Sequence, residues 1–223
     1  MLSYSLRSLR TNAASVALVL AFSHSALAAT DSSSSPFPGL ELVNSKSLDK
    51  LYRHPDVDVS EYTKIRVREP AVEFSKNWNA RNYGTYGLSA AQLKKIRSDL
   101  AELAKSTFVK VLGDGGYQLV TEPGDGVLDV VPNIINLYVN APDTMTAGRS
   151  RSYTMDAGSM TLALQLSDSI TGTLLAVAYD TKRDNSRGTL QWSSSVSNRA
   201  AASRVLTQWA EQLKRDLDAA RAK

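Results

Sequence analysis

The chain has 223 residues, with 26 Lys and Arg against 22 Asp and Glu, two His and no Cys. Without cysteine there is no disulfide framework, no thiolate nucleophile and no thiolate metal site, so packing alone must hold the fold. Arg7 and Arg10 fall in the first 28 residues, which carry no acid; beyond them 24 basic residues face 22 acidic ones, too even a balance to draw in nucleic acid or an anionic membrane.

Those first 28 residues read as a cleavable secretory signal peptide. A basic start is followed by an apolar run from Ala13 to Phe22 and by Ser25-Ala26-Leu27-Ala28, with small residues where signal peptidase cuts. The run is about half of the roughly 20 residues a permanent membrane span needs. An acid-free start containing Arg and Ser also suits a mitochondrial presequence, but an uninterrupted apolar block is wrong for an amphipathic targeting helix. Export to the periplasm is the expectation, with neither a transmembrane anchor nor a lipid anchor, since no cysteine is there to be lipidated.

Residues 29–39 are Ser-rich and end in Pro36-Phe37-Pro38-Gly39, which predicts a flexible tether. A single domain is expected over 40–223. Tyr62 to Phe74 alternates around Ile65, Val67, Val72 and Phe74 as a strand does. Lys76 to Gly87 has no apolar period and reads as a loop carrying aromatic residues. Ser89 with Gln92 forms a capping box, and Leu88 can staple to Leu93. The helix that follows, to about Leu112, is expected to bury Leu93, Ile96, Leu100, Leu103 and Thr107.

Gly113 to Gly116 stops that helix and leads to a short strand, Tyr117 to Val120. From Val127 to Ala141 a long strand is expected, with the apolar parity changing across Pro132 as at a bulge or an edge. Pro142 to Gly158 is polar. Met160 to Leu166 and Leu174 to Tyr179 form an antiparallel hairpin around Gly172. Ser197 or Asn198 can cap a last helix whose buried stripe is Ala202, Leu206, Trp209, Leu213 and Leu217. This order predicts an α+β fold: two layers, with a mainly antiparallel sheet covered on one face by two helices.

Several stretches carry a family resemblance. Gly39-Leu40-Glu41-Leu42, Lys50-Leu51-Tyr52, Val59-Ser60-Glu61-Tyr62, Glu73-Phe74-Ser75-Lys76-Asn77-Trp78 and Asp168-Ser169-Ile170-Thr171-Gly172 through Ala176 resemble the bacterial family called domain of unknown function 3313. The resemblance spans roughly residues 39–217 and implies a protein of the Gram-negative envelope with no assigned activity. Many relatives carry a lipidated cysteine, which this chain lacks.

No catalytic, metal-binding or cofactor-binding residue is assigned. His54, the one histidine left after cleavage, sits in a polar segment before the first strand. Asp114, Asp125 and Asp129 lie near glycine turns at spacings that fit no calcium loop. The glycine clusters at 113–116 and 124–126 lack phosphate-loop spacing. Candidate partner-binding residues are Trp78, Arg81, Tyr83 and Tyr86 in the aromatic loop and Arg149, Arg151 and Tyr153 in the polar one; Trp78 can equally fold onto the core. Trp209 belongs to the core. The expected function is a soluble envelope accessory or binding domain for a protein or glycan. The alternatives are a carboxylate-based hydrolase acting on cell-wall glycan and an oligomeric structural component.

Overall fold

The computed structural model describes residues 35–82, 87–139, 153–154, 158–183, 191–192 and 195–222, with the backbone alone at 153–154, 191–192 and 195–198. In chain order the elements are β1 (Glu41–Val43), β2 (Lys50–Arg53), β3 (Lys64–Val67), β4 (Val72–Phe74), α1 (Ala90–Asp114), β5 (Gln118–Leu119), β6 (Val127–Tyr138), β7 (Tyr153–Thr154), β8 (Ser159–Asp168), β9 (Leu174–Arg183), β10 (Gln191–Trp192) and α2 (Ser195–Arg221). Eight strands form one mixed sheet in the order β1-β2-β9-β8-β6-β3-β5, with β4 also on β6; β7 and β10 pair separately. The fold is α+β, and the longest ladders, β6 with β8 and β8 with β9, are antiparallel. Among the described residues, parallel pairing is confined to β3 with β5 and β6, and to β4 with β6.

The expected strand from Tyr62 to Phe74 is two strands. β3 runs beside the first part of β6 and β4 beside its later part, and Glu69-Pro70-Ala71 lies between them. The break is matched by Pro132. Ile134 N–H donates to Ala71 C=O at 2.9 Å, so Pro132, two residues earlier, would point its missing donor toward the same side, into the gap. A proline is therefore tolerated in an interior strand, not the edge strand the sequence suggested. The parity change also lies elsewhere. Leu128, Val130 and Ile134 are buried on one register and Leu137 on the other, and the switch occurs at Asn136, whose φ is 51°. Pairing slips there, between Ile135 and Tyr138. Asn is among the few side chains that accept such a backbone.

Helix α1 starts as the sequence demands: Gln92 N–H donates to Ser89 Oγ, and Ser89 N–H to Gln92 Oε1 at 2.8 Å. Its buried face differs from the expected one. Leu100, Ala101, Ala104, Phe108 and Leu112 are buried, whereas Leu93, Ile96, Leu103 and Thr107 are only partly covered. The two alanines on this face, with Phe108 and Leu112, stand outside the expected stripe. Phe108 and Leu112 join Ile65, Val130 and Leu162 from one face of the sheet and Leu206, Ala210 and Leu213 from α2 in one core. Both helices thus pack on the same face.

Helix α2 buries Leu206, Trp209, Leu213 and Leu217, with Ala210 added and Ala202 partly covered. Trp209 Nε1–H donates to the Asp180 carboxylate at 2.6 Å, and Lys182 Nζ stands 2.9 Å from the same oxygen. Asp180 is 3% exposed. A charge buried to that degree is tolerated because an indole donor and an ammonium meet it, and this fixes α2 over β9.

On the opposite face of the sheet a smaller cluster unites Leu40, Tyr52 and Val177 with Phe37 and Tyr179. Phe37, expected in the tether, has its ring 5.2 Å from Tyr52 and 6.4 Å from Tyr179. The tether expectation weighed Ser and Pro content and missed that one aromatic ring suffices to pin its neighbours. The turn between β8 and β9 explains the motif Asp168-Ser-Ile-Thr-Gly. Asp168 Oδ1 accepts from Ile170 N–H, from Thr171 N–H at 2.7 Å and from the Thr171 hydroxyl, while Gly172 takes φ 70°. Those bonds, led by the Thr171 amide, and one from the Tyr62 hydroxyl, hold the Asp168 carboxyl below the usual carboxylate range.

Trp209→Ala removes a core aromatic and takes the indole donor from Asp180, leaving Lys182 to meet that carboxylate alone, so it should cost about 3–5 kcal/mol in urea denaturation; wild-type stability would mean that α2 is not held this way. For Asp168, a pKa depressed on folding adds stability above the unfolded value that is lost as pH falls through the folded one. Asp168→Asn should therefore flatten the acid limb of a stability-versus-pH curve and leave the alkaline limb in place.

Candidate functional site

Asp129 lies on the sheet face away from the helices, on β6, and is 2% exposed. Opposite it on β3, Arg66 donates through Nε to Oδ1 at 2.6 Å and through an Nη to Oδ2 at 2.7 Å, a two-pronged pair. That bonding keeps the Arg66 guanidinium above its ordinary pKa, with Glu122 adding a smaller push. Arg68, two residues on and therefore on the same face, brings its Nη1 only to 3.6 Å from Asp129 Oδ2, and its side chain is 57% exposed. One carboxylate thus serves one arginine fully and a second only by proximity. Arg68 keeps unspent donors.

Beside these residues an open groove of about 430 Å³ runs between α1 and the outer edge of the sheet. Arg66, Val67, Arg68 and Glu69 form one side, Lys105 and Val109 of α1 another, and Leu119 to Thr121 close one end. Lys105 Nζ contacts Glu69 at 3.0 Å, tying α1 to the loop between β3 and β4. Val109 is one of the exposed large apolar side chains, at 38%. The groove exists because β5 is short. Val120 N–H donates to Ile65 C=O at 3.0 Å, the last bond of that ladder, whereas Arg68 N–H turns inward to Val130 C=O. Val67, in phase with Ile65, therefore turns its backbone edge outward where β5 has already left.

Three other aspartates, Asp180, Asp168 and Asp218, are engaged in structure, while Asp216, pushed up by burial, accepts from the Gln212 amide at 2.9 Å. Asp180 holds Trp209, and Asp168 holds its turn. Asp218 accepts from the Tyr117 hydroxyl at 2.6 Å and from Lys214 at 2.7 Å. Burial, with that hydrogen bond to Asp218, pushes Tyr117 up to about 12, and Lys214, with Tyr117, holds Asp218 below its usual range. His54 Nδ1 accepts from Asp56 N–H at 3.3 Å, a local turn bond. Of the aspartates read near glycine turns, Asp114 pairs with Lys110 one helical turn earlier and Asp129 is the strand residue above. Among the described residues, no three His, Asp or Glu side chains gather closely enough to hold a metal ion.

The sequence-derived candidates fall elsewhere. Trp78 is 9% exposed; its ring stacks on Phe74 at 4.3 Å and 9°, and its Nε1–H donates to Val139 C=O at 3.0 Å. Arg97 lies over the Phe74 ring at 5.1 Å. Little of the indole is therefore left to meet a partner. Arg81 is exposed in a 3-10 turn, Ala80–Asn82. Tyr83, Tyr86, Arg149 and Arg151 lie outside the described residues, and for Tyr153 the backbone pairs with Trp192. Sequence reasoning passed over Arg66, Arg68 and Asp129 as a unit. The available signal was the Arg-x-Arg alternation Arg66-Val67-Arg68, which places two cations on one face of a strand.

Residues 30–213 match the family model described as a protein of unknown function, DUF3313. The chain belongs to the DUF3313 family. No curated protein matches it. Among solved structures, the PelC dodecamer from Paraburkholderia phytofirmans is similar at 12% identity over 71% of this chain and 91% of that one, with a TM-score of 0.38. Protein XCC0632 from Xanthomonas campestris is similar at 18% identity over 68% and 81%, with a TM-score of 0.39. A minor lipoprotein from Acinetobacter baumannii is similar at 11% identity over 72% and 93%, with a TM-score of 0.32. Likeness at this level carries no property of those proteins over to this DUF3313 member.

Asp129→Asn should destabilise by about 1.5–3 kcal/mol in chemical denaturation, because a charge-assisted pair is lost and two arginines are left side by side. Arg68→Ala should stay within about 0.5 kcal/mol of wild type, since its contact with Asp129 is long and solvated. Equal losses in the two variants would contradict the unequal sharing of this carboxylate.

Proposed function

We propose that the chain is exported, cut after Ala28, and acts in the periplasm as a non-enzymatic binding or accessory domain of the envelope. The observation that carries the binding role is the groove beside Arg68. There an exposed guanidinium with unspent donors, an outward backbone edge at Val67 and an exposed apolar side chain at Val109 lie together. Binding sites combine apolar walls with a few well-placed polar groups in this way.

The use made of the acids supports the same reading. A general acid or nucleophile must be free to exchange a proton or to attack. Asp129, Asp168, Asp180 and Asp218 are instead occupied in bonds that shape strands, turns and helix positions. Export is supported by the basic, apolar and small-residue order of residues 1–28. Among the described residues, no helix is long and apolar enough to cross a membrane.

Periplasmic extracts should yield a chain that begins at Ala29, read by N-terminal sequencing and intact mass. An uncut chain confined to the cytoplasmic fraction would end the export reading. Purified protein incubated with cell-wall glycan should release no new reducing ends, and their release would favour the hydrolase instead.

A further inference from the structure

We infer that the groove between α1 and the outer edge of β3 receives an extended segment of a partner protein in which acidic and apolar residues alternate. This rests on the binding role proposed above and names the chemistry of the partner.

The argument starts from the backbone. Val67 presents its outward edge at the point where β5 stops, so an incoming chain can continue the sheet there, as added strands do. Side chains of an added strand then alternate between the two faces of the sheet. Those on the face of Arg66 and Arg68 meet the arginines. Arg66 is already tied by two bonds to Asp129, which leaves Arg68, 57% exposed and 3.6 Å from that carboxylate, as the group able to take a new one. Those on the other face meet Val109 and Leu119, an apolar wall of which Val109 is 38% exposed. The cross-strand rule thus gives an acidic residue beside Arg68 and an apolar one next to it. Charge at the site is nearly balanced, because Glu69 meets Lys105 and Glu122 lies near Arg66. Recognition accordingly depends on the geometry of one guanidinium rather than on a broad cationic field. A glycan chain would use Arg68 but neither the backbone edge of Val67 nor the alternation of faces, which is why a peptide is favoured.

The test uses the purified protein and a fluorescein-labelled, end-capped peptide of alternating glutamate and valine, followed by fluorescence anisotropy. Saturable binding is expected, and Arg68→Ala and Val109→Asp should each weaken it about tenfold or more. Both side chains are solvent-exposed, so these variants should keep the wild-type melting curve, and Leu42→Asp on the far edge strand β1 should leave binding unchanged. The same peptide with lysine in place of glutamate should not bind. Undiminished binding in both groove variants, or equal binding of the lysine peptide, would overturn the inference. So would the peptide failing while an acidic oligosaccharide binds in an Arg68-dependent manner, an outcome that leaves the binding role itself standing. Cleavage of the peptide or the oligosaccharide would instead overturn the binding role.

Discussion

Pro132 has no N–H to give, and the architecture around β6 follows from that. An interior strand can hold a proline only where the neighbouring strand asks for no donor. Here the neighbour is interrupted: β3 ends at Val67, β4 begins at Val72, and Glu69-Pro70-Ala71 crosses the gap. The crossing is still bonded at both ends, by Arg68 N–H to Val130 C=O and by Ala71 N–H to the Asn133 side chain at 2.8 Å. On its other side β6 pairs with β8 without a break from Leu128 to Ile135, across Pro132, so the sheet stays continuous there. The same interruption ends β3 at Val67, beside the short β5. The groove itself follows from the shortness of β5, whose pairing with β3 stops before Val67.

Buried charge is handled alike on both faces of the sheet. Asp180 on the helix side and Asp129 on the far side are each a few per cent exposed, and each is met by a donor held on a neighbouring element. A buried carboxylate without such partners would be costly, so each acts as a register mark that accepts one arrangement of neighbours. For Asp180 that arrangement is α2 across β9, through Trp209. For Asp129 it is β3 beside β6, through Arg66. Arg68 is the remainder of the second arrangement, a cation brought close to a carboxylate already satisfied.

Local signals were legible wherever one stretch of chain decides its own conformation. The Ser89-Gln92 capping box, the glycine stop after α1 and the hairpin from Met160 to Tyr179 are of this kind, because donors, acceptors and backbone freedom all lie within a few residues. The core role of Trp209 was readable from helical spacing alone. Legibility failed where two separate stretches meet. Sequence spacing put the α1 stripe on Leu93, Ile96, Leu100, Leu103 and Thr107, but the buried face keeps only Leu100 of these and adds Phe108, Leu112 and the small Ala101 and Ala104. The stretch from Tyr62 to Phe74 reads as one strand although its apolar parity changes, from Ile65 and Val67 to Val72 and Phe74, and that change falls where β3 ends and β4 begins. The bulge was assigned to the proline, whereas Asn136 absorbs it.

The candidate site was less legible still. Aromatic content drew attention to Trp78, yet Phe74 and the Val139 carbonyl occupy its ring and its indole N–H. Arg66, Arg68 and Asp129 are 63 residues apart at their closest bonded pair, and only the parallel register of β3 on β6 makes them neighbours. The sequence by itself determined the α+β class through the order of its elements, the family through its motifs, and the capped start of α1 and the β8–β9 turn built on Asp168 through short-range bonding, whereas α2 begins at Ser195, ahead of the expected cap at Ser197 or Asn198. The tertiary structure alone decided which acids are spent, which arginine keeps free donors and where a strand edge is left open, because those depend on which distant segments share a face and on where a neighbouring strand stops.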